Sequence, residues 1–132
     1  MKTIKILWVD DMEHWVESAK RNLEIIALKN DVNLIIIHVK NGEEEDLYLK
    51  LRNFDSDCIV IDYMMHPFNG DRYVNMIRDD DDYEHLSAVP IIFYSQAPDI
   101  DLESLINNLS NVYTVFRGNL EDRITEMFFK KN

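Results

Sequence analysis

Ile4 to Asp11 reads IKILWVDD, an apolar run that passes straight into two carboxylates. Ile6, Leu7, Trp8 and Val9 are apolar at successive positions, so both faces of a strand there would be covered, as in the middle of a parallel sheet. The segment from Cys58 to Ile61 (CIVI) repeats the pattern and also ends in an acid, Asp62. Three further runs complete a set of five: Val32 to Val39 (VNLIIIHV), Val89 to Tyr94 (VPIIFY) and Val112 to Phe116 (VYTVF).

Helical spacing fills the intervals. Trp15, Ala19, Leu23, Ile26 and Ala27 form one apolar stripe, and Leu102, Leu105, Ile106 and Leu109 form another at i, i+3, i+4, i+7. Leu120, Ile124, Met127 and Phe128 make a last stripe after an Asn119 cap. Asn41, with Glu44 three residues on, is the start signal of the helix after the second strand. Tyr73, Val74 and Ile77 mark a shorter helix after the third, ahead of a solvated acidic loop at Asp79 to Asp82. Five βα units predict an α/β doubly wound parallel sheet of strand order 2-1-3-4-5, in three α/β/α layers.

The chain has 132 residues, fitting one domain, 1–132, and its 46% apolar content suffices for a core. Fourteen basic against 25 acidic side chains leave a net charge of −11, which argues against a nucleic-acid backbone or an anionic membrane as partner. The single cysteine, Cys58, excludes an internal disulfide framework and suits a reducing compartment. The start, MKTIKILWVDD, has no signal-peptide core, and no run approaches the roughly 18 apolar residues of a membrane span. The expected location is the cytoplasm. Gly42, Gly70 and Gly118 are the only glycines and no two are close, which rules out a dinucleotide fingerprint and a Walker-type phosphate loop.

In a doubly wound sheet the chemistry gathers at the carboxyl ends of the strands. Those ends carry Asp10 and Asp11, then His38 and Lys40, then Asp62, Ser95 and Arg117. Three crowded carboxylates repel unless a cation joins them, and a hard divalent ion such as Mg²⁺ (or Mn²⁺) is the natural remedy. A carboxylate facing such an ion can act as a nucleophile toward phosphorus, with a hydroxyl and a guanidinium to meet the phosphoryl oxygens.

The pieces KILWVDD, NGEEEDLYL, CIVIDYMM with Pro67 and Gly70, and VPIIFYS, in this order, resemble a response-regulator receiver domain of two-component signalling, of the single-domain, chemotaxis-regulator-like kind. The resemblance implies a flavodoxin-like fold, with Asp62 as phosphoacceptor. It implies Mg²⁺ held by Asp10, Asp11, Asp62 and the backbone carbonyl of Met64, and a phosphoryl contact from Ser95. It also implies a sensor histidine kinase or histidine phosphotransfer protein as phosphodonor, and a domain that catalyses only its own phosphorylation and dephosphorylation. Output is expected through a separate protein target, since no output domain follows the fifth helix.

Three positions depart from the family pattern. Arg117-Gly118 stands where Lys-Pro is usual, Pro67 falls one place late behind His66, and Thr114 occupies the aromatic switch position with Tyr113 and Phe116 beside it. These departures motivate the alternative of a phosphorylation-independent, receiver-like protein-interaction module. A metal-dependent phosphohydrolase ranks last, because Asp10 is followed by Asp11 and Met12 rather than by an acid two residues on. His14, His38 and His85 have no partner at metal-ligand spacing and read as structural, His66 as a solvent-facing loop residue, and Cys58 as a small buried apolar residue.

Overall fold

The computed structural model describes residues 1–40, 44–66, 68–106 and 109–130, with only the backbone of Glu44 and Glu45. Asn41, Gly42 and Pro67, singled out in the sequence, lie outside the described residues. Five strands form one parallel sheet of order β2-β1-β3-β4-β5: β1 (Lys2–Val9), β2 (Val32–Val39), β3 (Cys58–Asp62), β4 (Ile91–Ser95) and β5 (Val112–Phe116). All five residues of β3 and of β4 are buried, which is why their sequences show no alternation, whereas the edge strands β2 and β5 expose part of theirs.

The sheet is clothed on both sides. Ile4, Ile6 and Trp8 of β1, with Val60, Ile92 and Tyr94, pack under α1 (Glu13–Lys29) and the C-terminal helical segment. Leu7 and Val9, with Ile59, Ile61 and Phe93, pack under α2 (Glu44–Asn53) and α3 (Gly70–Asp79). No helix among the described residues is long and apolar enough to cross a membrane. The predicted doubly wound, three-layer α/β architecture is therefore the observed one.

Three segments differ from the sequence reading. The acidic run is not an open loop: Asp81–Leu86 is a 3₁₀ helix capped by the Asp80 side chain, which accepts the Asp82 N–H at 2.9 Å, and it buries Tyr83 and Leu86. The last helix is α4 (Leu120–Ile124), continued as one π-helical stretch through Phe129.

The largest difference lies between β4 and β5, where the stripe Leu102, Leu105, Ile106 and Leu109 predicts a helix but the one helical element among the described residues is a 3₁₀ turn, Glu103–Leu105. Leu102 and Ile106 still reach the core, so the spacing is satisfied by a less regular backbone. The segment is instead fastened by side chains of α3. Asn75 donates to the Leu105 carbonyl at 3.2 Å, and Arg78 to those of Ser110 at 3.0 Å and Asn111 at 3.1 Å. The same guanidinium also donates to the carbonyls of Leu86, at 3.0 Å, and Val89, at 2.5 Å. At Leu105 a tertiary donor has replaced the local ladder.

Candidate functional site

Asp10 and Asp62 reach the same rim because β1 and β3 are in register, Val9 beside Ile61, and each chain then continues by one residue. Tyr94 of β4 is the register partner of Asp62. One oxygen atom from each of Asp10, Asp11 and Asp62 lies within 4.8 Å of the others. Asp10 and Asp62 are buried, while Asp11 is half-exposed at the mouth.

Gly70 makes this geometry possible from below. Its N–H donates to the Tyr63 carbonyl at 2.7 Å, and a Cβ there would fall 2.0 Å from the Asp62 carbonyl oxygen. Only glycine lets the start of α3 lie against the strand that carries Asp62.

The three carboxylates differ in their surroundings. Asp62 has no hydrogen-bond partner on either oxygen. Burial first, then the charges of Asp10 and Asp11, push its pKa from 3.8 up to about 7. The Met64 N–H and Arg117 pull weakly the other way, the former too poorly placed to make a hydrogen bond.

Asp10, by contrast, is tied at every polar atom. Its Oδ1 accepts the Met12 N–H at 2.7 Å, its Oδ2 accepts the Tyr94 hydroxyl, and its carbonyl accepts Nε2–H of His38 at 2.7 Å. That last bond fixes the His38 tautomer with its proton on Nε2. Burial raises the pKa of Asp10, and the Tyr94 and Met12 bonds counter it. Tyr94 in turn accepts the indole N–H of Trp8 at 3.0 Å. Its own pKa is raised well above the usual tyrosine value by burial and by Asp10 and Asp62.

The remaining predicted residues stand close by, engaged elsewhere. The Ser95 hydroxyl donates to the Ala97 carbonyl and accepts the Ala97 N–H, both at 3.1 Å. Arg117 lies with its guanidinium carbon 4.9 Å from the centre of the Trp15 ring, with one nitrogen 3.9 Å from the sulfur of Met12. Lys40 pairs with Glu13 at 2.7 Å, and Arg117 forms no ion pair with Asp62. Met64 sits at the rim with its side chain 53% exposed, and His66 is exposed, as its loop position implied. Thr114 Oγ1 lies 3.5 Å from Glu103, while Tyr113 and Phe116 are both partly open to solvent. Phe116 folds back over Gly118, whose Cβ would come within 2.7 Å of its ring.

The spacing of Trp8, two residues before Asp10, puts both on one face of β1 and Trp8 beside the site. Sequence reasoning missed its partner Tyr94 and treated His38 as merely structural. It also missed Met12, whose sulfur is approached by Arg117 and by Gln96, at 2.8 Å.

Three buried or half-buried acids, one of them with both oxygens unpartnered, carry a charge that needs a cation. The all-oxygen donor set suits a hard divalent ion such as Mg²⁺. Asp10, Asp11 and Asp62 fit that role.

No family model matches the chain, and no curated protein matches it in sequence. Solved structures do match over nearly its whole length. The signal receiver domain of a DNA-binding response regulator from Colwellia psychrerythraea 34H superposes with a TM-score of 0.67 at 17% identity, covering 96% of this chain and 99% of that one. A CheY-like response regulator receiver domain protein from Methanospirillum hungatei JF-1 gives 0.69 at 14% identity, covering 96% and 94%. The response regulator TrrA from Thermotoga maritima, solved in complex with Mg²⁺-BeF, gives 0.66 at 21% identity, covering 97% and 100%. With its strand order and end-to-end superposition, the chain has the fold of a response-regulator receiver domain.

Proposed function

We propose that the chain is a receiver domain of a two-component phosphorelay in which Asp62 accepts a phosphoryl group from a sensor histidine kinase or a histidine phosphotransfer protein. The observation that carries this reading is the buried Asp62 carboxylate, without a hydrogen-bond partner on either oxygen and within 4.8 Å of Asp10 and Asp11. A functionless acid in that position would be an uncompensated cost to the fold.

Mg²⁺ (or Mn²⁺), held by Asp10, Asp11, Asp62 and the Met64 carbonyl, would supply positive charge to the phosphoryl oxygens. The chain's own residues do the rest. One Asp62 oxygen attacks phosphorus as the P–N bond to the donor imidazole breaks, and that nitrogen leaves with a proton from solvent. Arg117 exchanges the Trp15 face for the phosphoryl group, since a guanidinium grips two of its oxygens at once. Ser95 turns its hydroxyl from Ala97 to the third oxygen. Those two movements, on β4 and at the end of β5, alter the surface a downstream protein reads. The domain turns over no external substrate. A net charge of −11 argues for protein partners rather than nucleic acid, and the single cysteine, Cys58, suits a reducing compartment such as the cytoplasm.

The competing reading, a phosphorylation-independent interaction module, draws on Arg117 resting against Trp15 and Ser95 bonding Ala97. Titrating Mg²⁺ and then beryllofluoride into the wild type and Asp62→Ala, followed by tryptophan emission and calorimetry, separates the two. A saturable beryllofluoride response that needs Mg²⁺ and vanishes in the variant is expected. Mg²⁺ binding with no beryllofluoride response would favour the interaction module, and binding of neither would remove the phosphoacceptor role.

A further inference from the structure

The hydrogen-bond chain Trp8–Tyr94–Asp10 runs beneath the acid cluster and is independent of the nucleophile. Tyr94 and Trp8 are both fully buried, and the phenol has two partners: it accepts from Trp8 at 3.0 Å and donates to Asp10 Oδ2. Oδ1 of the same carboxylate accepts the Met12 N–H at 2.7 Å. Each oxygen of Asp10 thus has one lone pair already committed, in a direction set by the backbone on one side and by two packed aromatic rings on the other. Trp15 packs against both rings, at 5.6 Å from each, so the phenol has no room to swing away.

Such a carboxylate can offer a cation one oxygen or a water-mediated contact, but turning to present both oxygens would break its Tyr94 or its Met12 bond. This restriction bears unequally on divalent ions. Mg²⁺ takes a small octahedral shell and keeps several waters, so it loses little. Ca²⁺ takes six to eight oxygens at longer distances and gains from two-oxygen carboxylate contacts, so it loses more.

The geometry points to Tyr94 as the specificity-determining positioning residue of the cation site, which by holding the second oxygen of Asp10 favours Mg²⁺ over Ca²⁺. This rests on the proposed cation site but not on phosphorylation. Nothing in the amino-acid types of the cluster itself would confer it, since three aspartates suit either ion.

Calorimetric titration of the purified chain with Mg²⁺ alone and Ca²⁺ alone tests it, in the wild type, Tyr94→Phe and Trp8→Phe. Tyr94→Phe should shift the ratio of the two dissociation constants toward Ca²⁺ by roughly five-fold or more, because the freed oxygen adds a ligand that only the larger ion uses. Trp8→Phe keeps the phenol on Asp10 and should hold the ratio within about two-fold of wild type. A loss of stability weakens both ions alike and leaves the ratio where it was, so the ratio separates positioning from structure. A folded Tyr94→Phe protein with an unchanged ratio overturns the role of Tyr94 and leaves the cation site standing. A wild type that binds neither ion overturns the cation site and the Tyr94 role with it.

If Tyr94→Phe does not fold, the wild type still answers. The indole N–H signal of Trp8 should keep its slow exchange with solvent when Mg²⁺ saturates the site. Loss of that protection would show the cation pulling Asp10 out of the clamp, contrary to the role given to Tyr94.

Discussion

Replacing Asp62 by asparagine should stabilise the protein, and by an amount that depends on pH. The carboxylate is buried without a partner and faces two other acids, and its pKa stands at about 7 against an ordinary 3.8. A folded-state pKa above the unfolded one means that the protonated group favours the fold. That advantage is complete below about pH 3.8 and is lost progressively until about pH 7, above which the charged form burdens the folded chain. At about 1.36 kcal/mol per pKa unit the whole difference is about 4 kcal/mol. Solvent at the half-exposed Asp11 screens part of it, leaving about 2–3 kcal/mol. Urea denaturation of both proteins followed by circular dichroism, from pH 4 to pH 8 with a chelator present, reads the effect. The gap between Asp62→Asn and wild type should open as pH rises and level off above about pH 7. Added Mg²⁺ should then stabilise the wild type more than the variant, because a ligand of the folded state adds its binding energy. A gap that stays constant across the range would refute the argument, since it would mean that Asp62 carries an ordinary pKa in the fold.

Two further predictions concern the frame that holds the site. Arg78→Ala removes the donor that the Val89 and Ser110 carbonyls share with no backbone N–H, and one of two donors at Leu86 and Asn111, and should cost about 2–3 kcal/mol in urea denaturation. Arg78→Lys should recover little of it, because a single ammonium cannot match the planar fork, and full recovery by lysine would contradict this account. Gly70→Ala forces a Cβ to within 2.0 Å of the Asp62 carbonyl oxygen, so it should cost about 3 kcal/mol or more and weaken Mg²⁺ binding in calorimetry. An alanine variant of wild-type stability and affinity would show that β3 and α3 can move apart freely.

The sequence carried most of the fold because its central strands are buried on both faces and hence spelt in unbroken apolar residues, as in CIVI and IIFY. The acid cluster was legible for a related reason: Asp10, Asp11 and Asp62 interrupt those runs at the strand ends, where no core position would take a charge. The β4–β5 crossover was not. Leu102 and Ile106 have helical spacing and are buried, but the backbone between them is held by Asn75, and the chain after them by Arg78, both from α3, a long-range effect absent from local periodicity. A stripe of eight residues is also too short to be helical without tertiary help. The hydrogen bonds of Trp8 and Tyr94 were hidden differently. An aromatic side chain in a buried strand reads as core, and both are core, yet each has a polar end that sequence spacing alone does not direct toward a carboxylate.

The grip of α3 on the β4–β5 crossover bears on how this region can change in evolution. A helix constrains nearly every residue along it, through propensity, capping and the face it must bury. Here the anchor points are backbone carbonyls, at Leu105, Ser110 and Asn111, and a carbonyl is present whatever side chain occupies the position. Apart from the buried Leu102 and Ile106, and from Asn111 with its positive φ, the described side chains of this crossover carry less of the duty of forming secondary structure. The stretch beside Ser95 can therefore drift in sequence, and with it the choice of partner, while the sheet that carries the three aspartates stays as it is.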